Sequence, residues 1–519
     1  MQYPVNFHEL AFGPDILEGL TGRIPPGLTG LVGANGAGKS VLLKLLAGKL
    51  QPIHGSVTWH VPFLHVDQFA ADGFARLADA LGVAELFDAF VRVEQGHPHE
   101  DDIERLADHW DKPAIWQSLL ESAHLPTDLG LAVQTLSGGQ QTRLMLCVAF
   151  SKPDHFLLLD EPGNHLDRRG RDWLIDKLVH HAAGALVVSH DRHLLRHVHQ
   201  ILELSRQGLQ LYGGAYDFYQ QQKSLMVDAV EQQVLDTEKQ VRRLKQEQQL
   251  SQQRAARRRQ QGERQRRDGS QGKILLDFKA EKAAGSQARE VARQQRSTQA
   301  LSADLQAARS LRDSLRAQRL VAPVSGSKRG IVVHAEQLVL PFVQNKALIN
   351  LTVHSGERWL ISGANGTGKS TLLKVIAGSL KPIGGRCELR GSCLYLDQHF
   401  SFLQPDLSAL DNLAAIDPQV SAELWRTWLG SLRLRADKAL LPIRMLSGGE
   451  RLKVALLSVS GRHHPPDLLL LDEPDNHLDL ESLQMLEETL HDYQGTLMLV
   501  SHDPDFVQAV GVTHELALD

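Results

Sequence analysis

Six short motifs occur twice in this chain, in the same order. GANGAGKS at 33–40 returns as GANGTGKS at 363–370, and the pair DQ at 67–68 returns at 397–398. LSGGQ at 136–140 returns as LSGGE at 446–450, and LLLDEP at 157–162 returns at 469–474. NHLD at 164–167 returns at 476–479, and SHD at 189–191 returns at 501–503. A repeat of this kind constrains architecture more than any local pattern, because it sets how many copies of one unit the chain must build. The offset is 330 residues up to the DQ pair and 310 to 312 afterwards, so copy one carries about twenty extra residues between its Gln and LSGGQ. Two units of about 200 residues therefore flank a central segment of about 100.

Each unit reads as alternating strand and helix. LTGLV (28–32), FLLLD (156–160) and ALVVS (185–189) are short apolar runs bounded by turn formers, as in parallel strands buried on both faces. A loop and a helical pattern follow each, which predicts α/β sheets with ligands at the carboxyl ends of the strands. At 519 residues the chain exceeds what one core serves. No apolar run approaches the roughly 18 residues of a membrane helix. The opening MQYPVNFHEL lacks the pattern of a secretory signal. The three cysteines, Cys147, Cys387 and Cys393, are too few for a disulfide framework or a four-ligand zinc site. A cytoplasmic protein is expected.

The central segment is different. Between 220 and 322 there are 22 basic and 12 acidic residues, in a chain whose net charge is −5. Val227, Val230, Val234, Val241 and Leu244 fall at helical spacings, and Leu301, Leu305, Ala308, Leu311 and Leu315 repeat the pattern. Gly262, Gly269 and Gly272 interrupt between them. This predicts an antiparallel helical hairpin with arms of 35–40 residues, roughly 50–60 Å long. Its tip, 254–273, holds eight Lys or Arg against two acids. Arginine makes bidentate contacts to phosphate, and aromatics for base stacking are nearly absent. Arg254, Arg257, Arg258, Arg259, Arg264, Arg266, Arg267 and Lys273 are thus expected to touch the phosphate backbone of structured RNA rather than read bases.

G-x-x-x-x-G-K-[ST] is a strand-to-helix loop whose backbone N–H groups surround phosphate oxygens. One such loop comprises Gly33, Asn35, Gly36, Gly38, Lys39, Ser40 and Val41, and the other Gly363, Asn365, Gly366, Gly368, Lys369, Ser370 and Thr371. Lys39 and Lys369 are expected on the β- and γ-phosphates of ATP, with Ser40 and Ser370 as Mg²⁺ ligands. Asp160 and Asp472 end apolar strands, where a carboxylate can hold Mg²⁺. Glu161 and Glu473 follow and diverge from them, which suits a general base facing the attacking water. His190 and His502 come 29 residues after each Glu, a spacing that recurs in both copies. Ser137, Gly138 and Gly139, and likewise Ser447, Gly448 and Gly449, open apolar helices whose N-termini can bind an anion. Two loops and two such N-termini suggest composite sites, each γ-phosphate held from both units.

In order and in kind these motifs resemble the ATP-binding cassette superfamily: Walker A, Q-loop, signature, Walker B, D-loop and H-switch, twice. Tandem cassettes joined by a charged helical linker resemble its ABC-F subfamily of ribosome-associated ATPases. DEPGNHLD and DEPDNHLD are similar to that subfamily's DEPTNHLD, and YGGAYDFY (212–219) to its exit from the first cassette. The departures are Val41 in place of a usual Thr, and Gly163 and Asp475 in place of the Thr before NHLD.

The resemblance implies two P-loop cassettes, 1–215 with a short arm insertion within about 70–125, and 323–519, joined by the hairpin 216–322. It implies a monomer whose cassettes form a head-to-tail dimer, with Lys39 facing Ser447 and Gly449 and Lys369 facing Ser137 and Gly139. It gives Gln68 and Gln398 the Q-loop role at Mg²⁺ and the reacting water, and it brings the linker to ribosome-bound tRNA. Phe12 and Phe342, each 21 residues before the first loop glycine, are nominated to stack on adenine; the alternative is that both belong to the core. The expected function is an ATP-gated clamp on the ribosome, as translation factor or in antibiotic resistance, with no stable membrane partner. A transporter's ATPase subunit and a DNA-clamping repair ATPase are the rival readings.

Overall fold

The computed structural model describes residues 3–13, 16–66, 73–164, 166–205, 208–267, 292–293, 296–312, 330–343, 347–364, 366–434, 437–476 and 478–518. The chain divides into two compact units, one made of Met1–Asp217 with Gln318–Asp519 and the other of Phe218–Ala317. The first unit contains both cassettes.

In the first cassette, β1 (Val5–Phe12), β2 (Leu17–Ile24) and β4 (His54–Trp59) form an antiparallel sheet in the order β2-β1-β4. The main sheet contains β3 (Leu28–Val32), β5 (Phe63–Val66), β6 (Phe156–Asp160), β7 (Ala185–Val188), β8 (Gln200–Ser205) and β9 (Gly208–Gly213). Its order is β5-β6-β7-β3-β8-β9, parallel except for the terminal β8–β9 pair. LTGLV and ALVV are buried along their whole length, as expected of strands covered on both faces. The second cassette repeats the plan. β10 (Ile331–Val339), β11 (Ile349–His354) and β13 (Gly384–Leu389) form the small sheet. β12 (Arg358–Ser362), β14 (Cys393–Leu396), β15 (Leu468–Asp472), β16 (Thr496–Val500) and β17 (His514–Ala517) form a parallel sheet in the order β14-β15-β16-β12-β17.

Parallel register sets up the chemistry. Asp160 lies beside Val188 and Asp472 beside Val500, so each acid-ending strand stops next to the strand that runs on to SHD. The last acid of each NHLD motif caps the helix that follows: Asp167 accepts from Gly170 N at 2.9 Å and Asp479 from Ser482 N at 2.8 Å.

The arm of the first cassette is a set of helices, Ala84–Glu94, Asp102–Leu106 and Lys112–Ser122. Phe90, Leu106, Trp116 and Leu120 share one core with Leu144 and Cys147 of the helix Gly138–Phe150 that LSGGQ opens. One of the arm's acids is internal: Asp102 is buried and takes two bonds from Arg92, at 2.6 and 2.8 Å.

The helix Tyr216–Arg267, which supplies the first arm of the second unit, runs 52 residues, about 78 Å, rather than the 35–40 residues expected. Gly262 lies inside it and does not interrupt. A single helical glycine costs only about 1 kcal/mol relative to Ala, and Gln260, Gln261, Glu263 and Arg264 around it are good helix formers. Gly269, Gly272 and Leu315 lie outside the described residues. The return arm is helical over 296–312. Val234 and Val241 pack against Leu305 and Ala308, and Glu238 pairs with Arg309 at 2.6 Å, so the two apolar stripes do meet.

Candidate active site

Each phosphate loop is built around a close backbone approach. A Cβ on Gly33 would sit 2.3 Å from the Leu204 carbonyl oxygen, and one on Gly363 2.3 Å from that of Leu518, so only glycine fits at either φ near +145° to +149°. Lys39 Nζ donates to the carbonyls of Gly33 (2.7 Å) and Ala34 (3.2 Å), and Lys369 Nζ to those of Gly363 (2.9 Å) and Ala364 (3.0 Å). Burial lowers the affinity of both amines for their protons, and nearby Glu161 and Glu473 respectively oppose it. Ser40 and Ser370 follow in the first helical turn, with Val41 and Thr371 after them.

In the second cassette the remaining groups converge. Ser370 Oγ donates to Asp472 Oδ1 at 2.9 Å, and Tyr395 holds Asp472 Oδ2 at 2.7 Å. Two oxygen donors on one spot suit a hard cation, so these residues fit Mg²⁺. Gln398 Nε2 and Asn476 Nδ2 both donate to Glu473 Oε2, at 2.5 and 2.6 Å, while His502 Nε2 stands 3.8 Å from Glu473 Oε1. In the first cassette His190 Nε2 stands 3.5 Å from Glu161 Oε1.

Glu161 and Glu473 have φ of +47° and +48°, rare for a side chain of this size. Their N–H groups are tied to the carbonyls of Val188 (3.0 Å) and Val500 (2.9 Å), which fixes the turn between each strand-ending Asp and the Glu after it. Burial, with Asp160 adding to it, pushes Glu161 up to about 8 against the pull of Lys39. Burial and the Lys39 charge bring His190 down to about 3; burial, Lys369 and Arg171 bring His502 down to about 4. Both rings are therefore neutral at pH 7, able to accept or donate one hydrogen bond.

Ser137 and Ser447 cap the helices that begin at Gly138 and Gly448, each in a reciprocal bond with Gln140 or Glu450, ahead of Gly139 and Gly449. Asp479 joins the cassettes: its Oδ2 accepts from Asn35 N in the first phosphate loop at 2.6 Å, and its Oδ1 from Ser482 N. Ser482 in turn lies against Gly449, where an added Cβ would come 2.7 Å from its Oγ.

A cavity of about 480 Å³ opens at the second loop. Gly366, Gly368, Lys369, Ser370, Thr371, Gln398, Glu473, Asn476 and His502 line it from one side, and Asn164, Leu166 and Arg171 from the first cassette. Its size suits a nucleotide-sized ligand. Phe342, 89% exposed, and Val343 complete the wall, whereas Phe12 packs against the core of its own cassette. Ser137, Gly138 and Gly139 are not among the lining residues. Gln68, Asn365 and Lys273 lie outside the described residues. Arg254 and Arg257 are exposed on the long helix, which also carries Arg258, Arg259, Arg264, Arg266 and Arg267.

The sequence reading missed Tyr395, Asn476, Asp479 and Arg171. Asn476 and Asp479 could have been found, since both belong to the repeated NHLD. Tyr395 and Arg171 carry no repeat signal.

A family model described as ABC transporter matches residues 17–164 and 347–476. The chain is 32% identical over 512 residues to ATP-binding protein Uup of Escherichia coli (strain K12), covering 92% of this chain and 74% of that one. It is 30% identical over 539 residues to ABC transporter F family member 2 of Arabidopsis thaliana, covering 96% and 74%. In fold it is similar to the archaeal ribosome recycling factor aABCE1 solved with the ribosomal stalk protein aP1, at a TM-score of 0.53 and 18% identity over 99% of this chain and 87% of that one. Among the described residues no helix is long and apolar enough to cross a membrane. The chain belongs to the ATP-binding cassette family, as a twin-cassette ATPase of its F type.

Proposed function

We propose that this ATPase is a cytoplasmic, ATP-gated clamp on the ribosome, whose basic hairpin contacts tRNA or rRNA phosphates. One observation carries the reading: the cavity at Lys369 draws its walls from both cassettes, so a nucleotide there binds to both at once. Ligand that touches both halves favours the closed arrangement by the difference in its affinity for the two states. The groups lining the cavity support the chemistry of hydrolysis. Lys369 leaves its loop carbonyls for the β- and γ-phosphates. Water, oriented by Gln398 and Glu473, attacks the γ-phosphorus and gives its proton to Glu473, while the bond to the β–γ bridging oxygen breaks to leave ADP and phosphate. His502 neighbours the γ-phosphate. Ser370, Asp472 and Gln398 would hold Mg²⁺, which supplies charge neutralisation for the phosphates. At the other loop Lys39, Ser40, Gln68, Asp160, Glu161 and His190 take the same parts. The signature residues Ser447–Gly449 close on the Lys39 nucleotide and Ser137–Gly139 on the Lys369 nucleotide. The bridge Asn35–Asp479–Ser482–Gly449 supports the first of these pairings.

The ribosome enters through the hairpin. A 52-residue helix whose last turns are Arg-rich offers phosphate contacts, and the archaeal ribosome recycling factor aABCE1 is similar in fold. Replacing both Glu161 and Glu473 with Gln removes about 3–5 kcal/mol of barrier lowering while leaving ATP bound. With ATP, that variant should co-sediment with ribosomes in a sucrose gradient, and without ATP it should not. Equal sedimentation of variant and parent in excess ATP refutes the clamp. If about three arginines meet phosphates, binding should weaken with a log–log salt slope of about −2 to −3. Changing Arg254, Arg257, Arg258 and Arg259 to Gln should flatten it, and an unchanged slope refutes the RNA contact.

A further inference from the structure

Arg171 lies in the first turn of the helix Arg168–Val179, four residues after Asp167. The repeat does not contain it. In the second cassette the matching residue is Leu483, which is buried in the core. Yet Arg171 lines the cavity of the other cassette, beside Lys369, Glu473 and His502.

Its hydrogen bonding is incomplete. The Nε–H is buried and has no hydrogen-bond partner among the described residues. Asp191 Oδ2 is the acid nearest to it, at 4.0 Å, beyond hydrogen-bond reach. A guanidinium stays charged at any physiological pH and carries five donors in a planar fork that matches phosphate oxygens. The Nε–H itself is closed off, but the side chain keeps 22% of its surface exposed and lines the cavity, so the outer part of the guanidinium can meet a ligand there. The opposite wall is a phosphate loop. The Arg171 charge acts on His502, which stands 3.8 Å from Glu473 Oε1, so Arg171 belongs to the end of the cavity where Glu473 would take a proton from water and a γ-phosphate would lie.

We propose that Arg171 is a phosphate contact supplied in trans: from the first cassette it donates to the γ-phosphate of ATP held at the Lys369 loop. This rests on the reading that the cavity is an ATP site. Negative charge spread over the γ-oxygens during phosphoryl transfer is stabilised by such a donor. Because Leu483 occupies the matching position, the Lys39 site lacks this contact and the two sites are chemically unequal. The arginine also distinguishes ATP from ADP, since ADP has no group for it to hold.

The test uses the full chain carrying Glu161→Gln, so that turnover reports the Lys369 site. Adding Arg171→Leu should lower kcat at least about tenfold, a modest value for an arginine on a transferring phosphoryl group. It should also weaken ATP relative to ADP by about tenfold in calorimetric titrations, with ADP affinity unchanged. Arg171→Lys, which keeps the charge and loses the fork, should recover part of both. Unchanged kcat with an unchanged ATP-to-ADP ratio overturns the proposal. So does equal weakening of ATP and ADP with a lowered unfolding temperature, the signature of an arginine that only holds the cassettes together. Lys369→Ala in the same background reports the underlying reading separately: if it retains full turnover, the cavity is not the ATP site.

Discussion

Asp475 is a buried acid with half its hydrogen bonding, and that makes the second cassette sensitive to pH. Oδ2 accepts from Ser501 Oγ at 2.9 Å, while Oδ1 has no partner among the described residues. Burial pushes its pKa up from 3.8 to about 7; the Ser501 bond and Arg171 oppose this, and Asp503 adds to it. Folded protein therefore keeps a proton that the unfolded chain has already released above pH 4, so stability falls as pH rises through the interval between the two values. Integrating between pH 5 and pH 8 gives a loss of about 2–3 kcal/mol. Asp475→Asn cannot ionise and keeps an acceptor for Ser501. At pH 8 its thermal midpoint should exceed the parent's by about 5–10 °C more than it does at pH 5, using the entropy of a cassette-sized domain. Midpoints measured at pH 5, 6, 7 and 8 that run parallel for variant and parent would refute an elevated carboxyl.

Arg192 and Glu487, both buried, form a two-pronged ion pair between the cassettes at 2.6 and 3.0 Å. Removing either alone should cost about 3–5 kcal/mol by stranding a buried charge, whereas Arg192→Met with Glu487→Leu should fall within about 1 kcal/mol of the parent. Thermal unfolding of the two singles and the double distinguishes this from a surface pair, for which all three would match the parent. Gly363→Ala places a Cβ 2.3 Å from the Leu518 carbonyl oxygen. Nucleotide titration should then find one ATP bound per chain in place of two, and two would show that the loop can yield.

The parts legible in the sequence were those that occur twice. β3, β6 and β7 fall in the apolar runs at 28–32, 156–160 and 185–189, since a strand buried on both faces is nearly all apolar, Thr29 and the strand-ending Asp160 being the exceptions. Lys369, Ser370, Gln398, Glu473 and His502 meet in one cavity because each ends or follows a strand of one parallel sheet. What escaped depends on contacts that no local pattern encodes. Gly262 looked like a break, but its helix-forming neighbours carry the helix across it. Phe12 and Phe342 hold the same place in sequence, yet one faces a core and the other a cavity. Tyr395, on Asp472, is set by packing between adjacent strands. Arg171 reaches a loop about two hundred residues further along, and nothing near it in sequence marks the destination.

Two of the ion pairs between the cassettes are made by residues that the other copy does not repeat. Arg192 matches Pro504 in the second copy, and its partner Glu487 matches Ile175 in the first. Arg196 bonds Asp505 at 2.5 Å; their counterparts are Gln508 and His193. The residues at the reciprocal positions, Pro504 and Ile175, and Gln508 and His193, could form no ion pair of this kind. Two first cassettes facing one another would bury Arg192 against an aliphatic side chain, and two second cassettes would leave Glu487 opposite proline. A buried charge without its partner is expensive, so both homotypic pairings are disfavoured. A pair between unlike cassettes satisfies every one of these charges, and a tandem chain always has the right partner at hand. Buried ion pairs add little stability compared with apolar packing, but here they select which surfaces meet. The same freedom to build each half of the interface once is what lets Arg171 serve a single site.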